Sequence, residues 1–324
     1  MKKLLSCAAL AQGLGFAALA RAEEAVVAQP SLWVPVERQF IHGDIPEVRG
    51  MPVTGDMVAP ADPAAVNAGY LQLLQASEGF GGWILASVVG MAVLLAVFVL
   101  FNGRAKLTHG FSGKLVDRWS MADVAIHWLA GISCILLILT GLVMGTGRFF
   151  FADLMMPGRW DSLASAVVGV HNVFAWPFMV GAVLMIVKWA SKQMPESCDA
   201  AWFASLGGYL NFGPFKGKHP DAGFANAGEK LWFWCFALFG LILIGSGLCL
   251  LFPGAFTTTK DGANLALILH LVGAIIVGAF SVVHIFMATV MSEGGMENMV
   301  SGKCDENWAK QNHNLWFKKV HDKA

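Results

Sequence analysis

Four of the nine histidines lie inside long apolar runs: His127, His171, His270 and His284. An imidazole in hydrocarbon is costly and needs a partner, so each is a candidate for function. Taken singly, each fits a ligand or a ring hydrogen-bonded to a neighbouring helix backbone. Their spacing favours ligands. His270 and His284 are 14 residues apart on one run, which on a helix is about 21 Å of rise and only roughly 40° of rotation. One helix therefore presents one imidazole near each membrane surface. His127 lies near the start of its run and His171 near the start of the next. Because successive spans alternate in direction, His127 falls level with His284 and His171 level with His270. The chemistry this suits is bis-imidazole ligation of two haems, which leaves no open iron position and favours electron transfer.

The elements that must position these residues are five apolar runs, 81–101, 121–144, 163–189, 231–252 and 265–291. Each has the roughly 20 residues a helix needs to cross the hydrocarbon layer. The chain is 56% hydrophobic and 14% charged over 324 residues, against about 25% charged for a soluble domain. The expected fold is an all-α membrane protein, a four-helix di-haem bundle over 121–291 with one additional N-terminal transmembrane helix over 81–101. Ser120 to Asp123 reads as a capping box opening the second run, and Pro177 is expected to bend the third.

Residues 1–22 read as a signal peptide. Lys2 and Lys3 precede an apolar stretch and the small-x-small site Ala20-Arg21-Ala22. Residues 23–80 carry prolines and scattered acids and are read as a periplasmic segment with little regular structure, and His42 there as a surface residue. Lys and Arg concentrate in the connection 102–120 (Arg104, Lys106, Lys114, Arg118), in 190–230 with Lys188 at its edge, and in the tail 292–324. The positive-inside rule puts these in the cytoplasm and the mature N-terminus in the periplasm, across a bacterial inner membrane. Zero formal net charge implies no nucleic-acid partner. The six cysteines form no Cys-x-x-Cys pair, so iron–sulfur, zinc and covalent haem attachment lack their usual spacing.

Gly131, Gly169 and Gly273 sit near the candidate ligands, where a missing side chain admits either a flat macrocycle or a close helix contact. Arg118 or Lys230 on the inner side, and Arg148 or Arg159 on the outer, are candidates to pair haem propionates.

The segments GKLVDRWSMADVAIHW, VVGVHNVF, FANAGEKLWFW, LALILHLVGA and VVHIFMA, and the tail GMENMVSGKCDENWAKQNHNLWF, together resemble the gamma subunit, the cytochrome b, of membrane-bound formate dehydrogenases. The resemblance covers about residues 110–320. It implies two b haems that take electrons from a periplasmic iron–sulfur (beta) subunit, itself fed by a molybdenum or tungsten formate-oxidising (alpha) subunit. It also implies a quinone acceptor near the cytoplasmic face, in a pocket formed by Asn226, Ala227, Gly228 and Glu229 beside His284. Glu229 stands where the family pattern has glutamine. That carboxylate could relay a proton to reduced quinone, or could simply favour the helix N-terminus. The first run and the N-terminal segment are additions to the shortest, four-span members.

Two other readings remain at this stage. The same haem chemistry serves the cytochrome b of a nickel–iron hydrogenase or a thiosulfate reductase. A transporter or proton channel would use the histidines as relays, but needs charged partners in the spans. After Asp123 the last four runs contain no Asp or Glu. No molybdopterin or nickel ligation pattern is present, so the chain is expected to act as an electron-transfer subunit without activity toward formate alone.

Overall fold

Pro63 opens the first helix, where its missing N–H costs nothing, and no further proline interrupts the chain until the spans. In the computed structural model, which describes residues 63–321 except 152–153, 156–158, 253–254 and 257–259, this helix runs to Asn102. It therefore begins 18 residues before the apolar run at 81, within the stretch expected to have little regular structure. Ala64, Ala65, Leu71, Leu73 and Leu74 are good helix formers, and they extend the helix beyond the part long enough to be read from hydropathy. The signal peptide, His42 and the rest of 1–62 lie outside the described residues.

In chain order the elements are α1 (Pro63–Asn102), β1 (Leu115–Asp117), α2 (Met121–Phe151), α3 (Arg159–Trp189), α4 (Asp199–Ala204), α5 (Ala227–Leu251), α6 (Lys260–Phe286), α7 (Asn298–Ser301), β2 (Lys303–Asp305), α8 (Glu306–Asn312) and α9 (Asn314–His321). A single π-helical turn, Met287–Met291, extends α6. Among the described residues, five stretches are long and apolar enough to cross a membrane: Phe80–Asn102, Met121–Gly147, Ser162–Gln193, Ala227–Leu251 and Gly262–Met291. This is the all-α architecture expected of a multi-pass membrane protein, and α3 is continuous through Pro177.

The chain divides into two units, and every long helix contributes a segment to each. The first unit holds the described residues up to Ser87 with Leu136–Val173 and Ile242–Ile275. Here a side chain on Gly81 would run into the Gly145 backbone, so paired glycines let α1 and α2 touch, as small residues do in membrane helix packing.

The second unit holds Val88–Ile135, Phe174–Leu241 and Ile276–Ala324. Its membrane helices are joined to a folded cap made from the two basic connections and the tail. β1 and β2 pair antiparallel with Leu115 opposite Asp305 and Val116 opposite Cys304. Leu107, Cys304, Trp308, Ala309, Trp316 and Phe317 form a buried cluster beneath this ribbon. Asp305 caps α8 through the Asn307 N–H (2.8 Å) and also accepts from Ser112 Oγ and the Gly113 N–H. Burial alone would raise its pKa, but these donors hold the carboxyl below the usual range.

Candidate haem sites

α2 begins on the expected capping box. The Ser120 N–H donates to Asp123 Oδ2 (3.1 Å) and the Asp123 N–H to Ser120 Oγ (3.2 Å). The other oxygen of Asp123 accepts from Trp189 Nε1 (2.7 Å) and pairs with Lys188 Nζ (2.8 Å). The start of α2 is thereby fastened to the end of α3. Four residues, about one turn, beyond Asp123 on α2 stands His127.

Within the second unit the ring centroids of His127 and His284 are 6.0 Å apart and inclined by 52°. Trp232 stacks on His284 at 5.4 Å, and Trp189 lies 6.4 Å from His127. His127 Nδ1 is buried with no hydrogen-bond partner. Gly131 faces this ring: a side-chain carbon there would lie 4.0 Å from His127 Cε1.

Within the first unit His171 and His270 form the matching pair, with ring centroids 6.3 Å apart. His171 Nδ1 lies 2.8 Å from Thr140 Oγ1, and His270 Nδ1 lies 3.1 Å from Ser246 Oγ. Each hydroxyl is followed by a glycine, Gly141 and Gly247, where a side-chain carbon would fall 3.9 and 3.3 Å from the Cε1 of the same ring. Gly169, by contrast, faces open space.

The histidines that spacing alone pairs are the ones brought together. Metal–imidazole bonds of about 2 Å on opposite sides of one ion put the two ring centroids roughly 6 Å apart, which both pairs satisfy. At Gly247 the His270 ring comes within 3.3 Å of where a side-chain carbon would stand, so that ring needs the glycine to keep its place. The donor set, two neutral imidazoles, is that of a b-type haem.

The Asn226–Glu229 segment forms a second capping box at the start of α5. The Asn226 N–H donates to Glu229 Oε2 and the Glu229 N–H to Asn226 Oδ1, both at 2.9 Å. Glu229 thus has a local structural task. It also pairs with Arg118 at 3.4 Å, while 41% of its side-chain surface stays accessible. Gly228 packs under Trp202, whose ring leaves no space for a side chain there.

The residues offered for inner propionates are engaged elsewhere. Lys230 Nζ binds Glu196 Oε2 (2.7 Å) and Asp199 Oδ1 (2.8 Å). Arg118 donates to Asn298 Oδ1 and to the Phe224 carbonyl and lies over the Phe224 and Trp308 rings at 5.1 Å each. His313 of the tail also contacts Arg118, at 3.2 Å through Nε2. Sequence reading missed His313, Thr140 and Ser246. The last two were visible as isolated hydroxyls in otherwise apolar runs.

Residues 118–302 match the family described as prokaryotic cytochrome b561. The chain is 26% identical over 212 residues to the cytochrome b556(Fdn) subunit of the nitrate-inducible formate dehydrogenase of Escherichia coli (strain K12), covering 64% of this chain and 92% of that one. It is 32% identical over 210 residues to the cytochrome b556(fdo) subunit of formate dehydrogenase from the same organism, covering 63% and 93%. A Haemophilus influenzae formate dehydrogenase cytochrome b556 subunit is 23% identical over 198 residues, covering 59% and 78%.

Proposed function

We propose, from the premise that this chain belongs to the prokaryotic cytochrome b561 family, that it is the membrane-anchoring di-haem cytochrome b of a formate dehydrogenase. The observation that carries the reading is the pair of imidazole pairs, 6.0 Å apart at His127 and His284 and 6.3 Å apart at His171 and His270. The names of the curated relatives support formate as the source of electrons.

In this reading His171 and His270 hold a haem toward the periplasm, and His127 and His284 hold one toward the cytoplasm. Bound there, b haems supply one-electron carriers that neither bind nor activate oxygen. Electrons enter from a periplasmic iron–sulfur subunit fed by a molybdenum or tungsten formate-oxidising subunit, and leave to a quinone. Asn226, Gly228 and Glu229 line the quinone pocket, and the Glu229 carboxylate passes on a proton taken from the cytoplasm. Charge moving inward in this way builds membrane potential, each electron working against ~2.3 kcal/mol per 100 mV. The lysine and arginine distribution supports a cytoplasmic C-terminus.

A reduced-minus-oxidised spectrum of the purified complex tests the cofactor, and haem per protein in His171→Ala and His127→Ala tests the sites. Two b haems in the parent and one in each variant are expected. The absence of b-type absorbance would end the reading and revive the transporter. Identification of the co-purifying subunits separates formate dehydrogenase from a nickel–iron hydrogenase or thiosulfate reductase, and quinone protons drawn equally from both faces of reconstituted vesicles would contradict the direction.

A further inference from the structure

The two histidine pairs differ in what their second ring nitrogen meets. Thr140 Oγ1, 2.8 Å from His171 Nδ1, donates its own proton to the Leu136 carbonyl at 2.7 Å. Ser246 Oγ, 3.1 Å from His270 Nδ1, donates to the Ile242 carbonyl at 2.6 Å. A hydroxyl has one proton to give, and in both cases the preceding turn takes it. Toward the ring each oxygen is therefore an acceptor. That fixes the proton on Nδ1 and leaves the lone pair on Nε2 of both His171 and His270.

The arrangement is built twice from different helices. Thr140-Gly141 on α2 serves a histidine of α3, and Ser246-Gly247 on α5 serves a histidine of α6. In each, the hydroxyl takes the ring proton; beside His270 the glycine also gives the ring room, whereas a side-chain carbon at Gly141 would make an ordinary 3.9 Å contact with His171. Among the described residues no hydroxyl is hydrogen-bonded to the other pair, and the charged group acting on His284 is the Glu229 carboxylate. His127 Nδ1 is buried and unpartnered, and the nearest hydroxyl-bearing contact in that stretch of α2, Ser133, bonds the Leu129 carbonyl.

We propose that Thr140 and Ser246 are positioning residues that lower the reduction potential at the His171–His270 site relative to the His127–His284 site. The proposal rests on the reading that each pair holds a haem. An acceptor on Nδ1–H pulls that proton outward and makes Nε2 a stronger donor. Stronger axial donors favour the oxidised iron, and second-shell hydrogen bonding is one of the levers by which a protein sets haem potential. Two such bonds on one site and none on the other bias the single electron. The His171–His270 site gives it up and the His127–His284 site gains it, the direction required for passage from the periplasmic to the cytoplasmic side.

Potentiometric titration of the purified complex tests this. His171→Ala first identifies which b-type transition belongs to the His171–His270 site. Thr140→Val and Ser246→Ala should each move that transition to more positive potential, both together should move it further, and the other transition should stay fixed. Thr140→Ser and Ser246→Thr, which keep the oxygen, should retain the parental value. If Thr140→Val does not assemble, Thr140→Cys carries a weaker acceptor of similar size and should give a smaller positive shift. Persistence of both transitions in His171→Ala would overturn the ligand reading and this proposal with it. Loss of one transition in His171→Ala, with unmoved potentials in Thr140→Val and Ser246→Ala, would overturn the tuning alone.

Discussion

His313 Nε2, on the C-terminal tail, stands 3.8 Å from Glu229 Oε1 at the start of α5. The ring is wholly buried; its Nδ1 donates to the Gly223 carbonyl at 2.9 Å and its Nε2 faces Arg118. Burial first, then the Arg118 charge, pushes its pKa down to about 4. A histidine depressed in the folded state binds its proton more readily when unfolded. Its contribution is therefore full above the ordinary value of 6.5 and is lost as the pH falls from there toward 4. The loss should reach on the order of 3 kcal/mol. Thermal unfolding of the complex in detergent should show this acid-side decline, and His313→Gln should flatten it while lowering stability at pH 7.

Glu229 offers both a carboxylate and a helix-capping geometry, and one substitution separates them. Glutamine serves equally well at the third position of a capping box, so Glu229→Gln should keep the fold and the full haem content. If the carboxylate passes a proton to reduced quinone, quinone turnover should fall by roughly 100-fold, the scale of general acid–base contributions. An unchanged rate would leave Glu229 as a cap.

How much of this was legible follows from the range of each interaction. A polar ring in an apolar span is visible because its burial is costly, and periodicity along one helix set the depth of His270 and His284. The capping box of Ser120 and Asp123 needs only three residues of context. The cap was not legible. Val116 pairs with Cys304, 188 residues away, and Arg118 meets His313, 195 residues away, and no local period announces such contacts. The start of α1 was missed because residues 63–79 are helical without being continuously apolar. Thr140 and Ser246 carry no charge that would mark them in an apolar span, yet a hydroxyl one turn after a carbonyl can hold an imidazole.

Arg118 is the hub of that cap. Its guanidinium is surrounded by Trp119, Phe224, Trp308 and Trp316, the nearest rings at 5.1 Å, and it donates to Asn298 and the Phe224 carbonyl. A lysine ammonium lacks the planar, widely spaced donor fork of a guanidinium and cannot stack as a plane on the surrounding rings. Arg118→Lys should therefore weaken tail docking by about 2 kcal/mol or more, combining a lost charged hydrogen bond with desolvated cation–π contacts. Limited proteolysis should cut the tail after Met291 faster than in the parent, and equal rates would remove Arg118 from this role.

One helix contact near the His127–His284 pair has no chemistry of its own. A side-chain carbon on Gly181 of α3 would fall 2.7 Å from the Ala130 backbone nitrogen and 3.0 Å from its Cα. The obstruction is backbone, so no rotamer change relieves it, and α2 and α3 must separate. Ala130 is three residues beyond His127 on the same helix, so the displacement is delivered to the His127–His284 pair. Gly181→Ala should reduce haem content from two per chain toward one, with the remaining haem the one lost in His171→Ala. Haem per protein by alkaline pyridine spectrum reads the difference, and a full complement in Gly181→Ala would mean that the pair tolerates a wider helix spacing than its 6.0 Å ring separation implies.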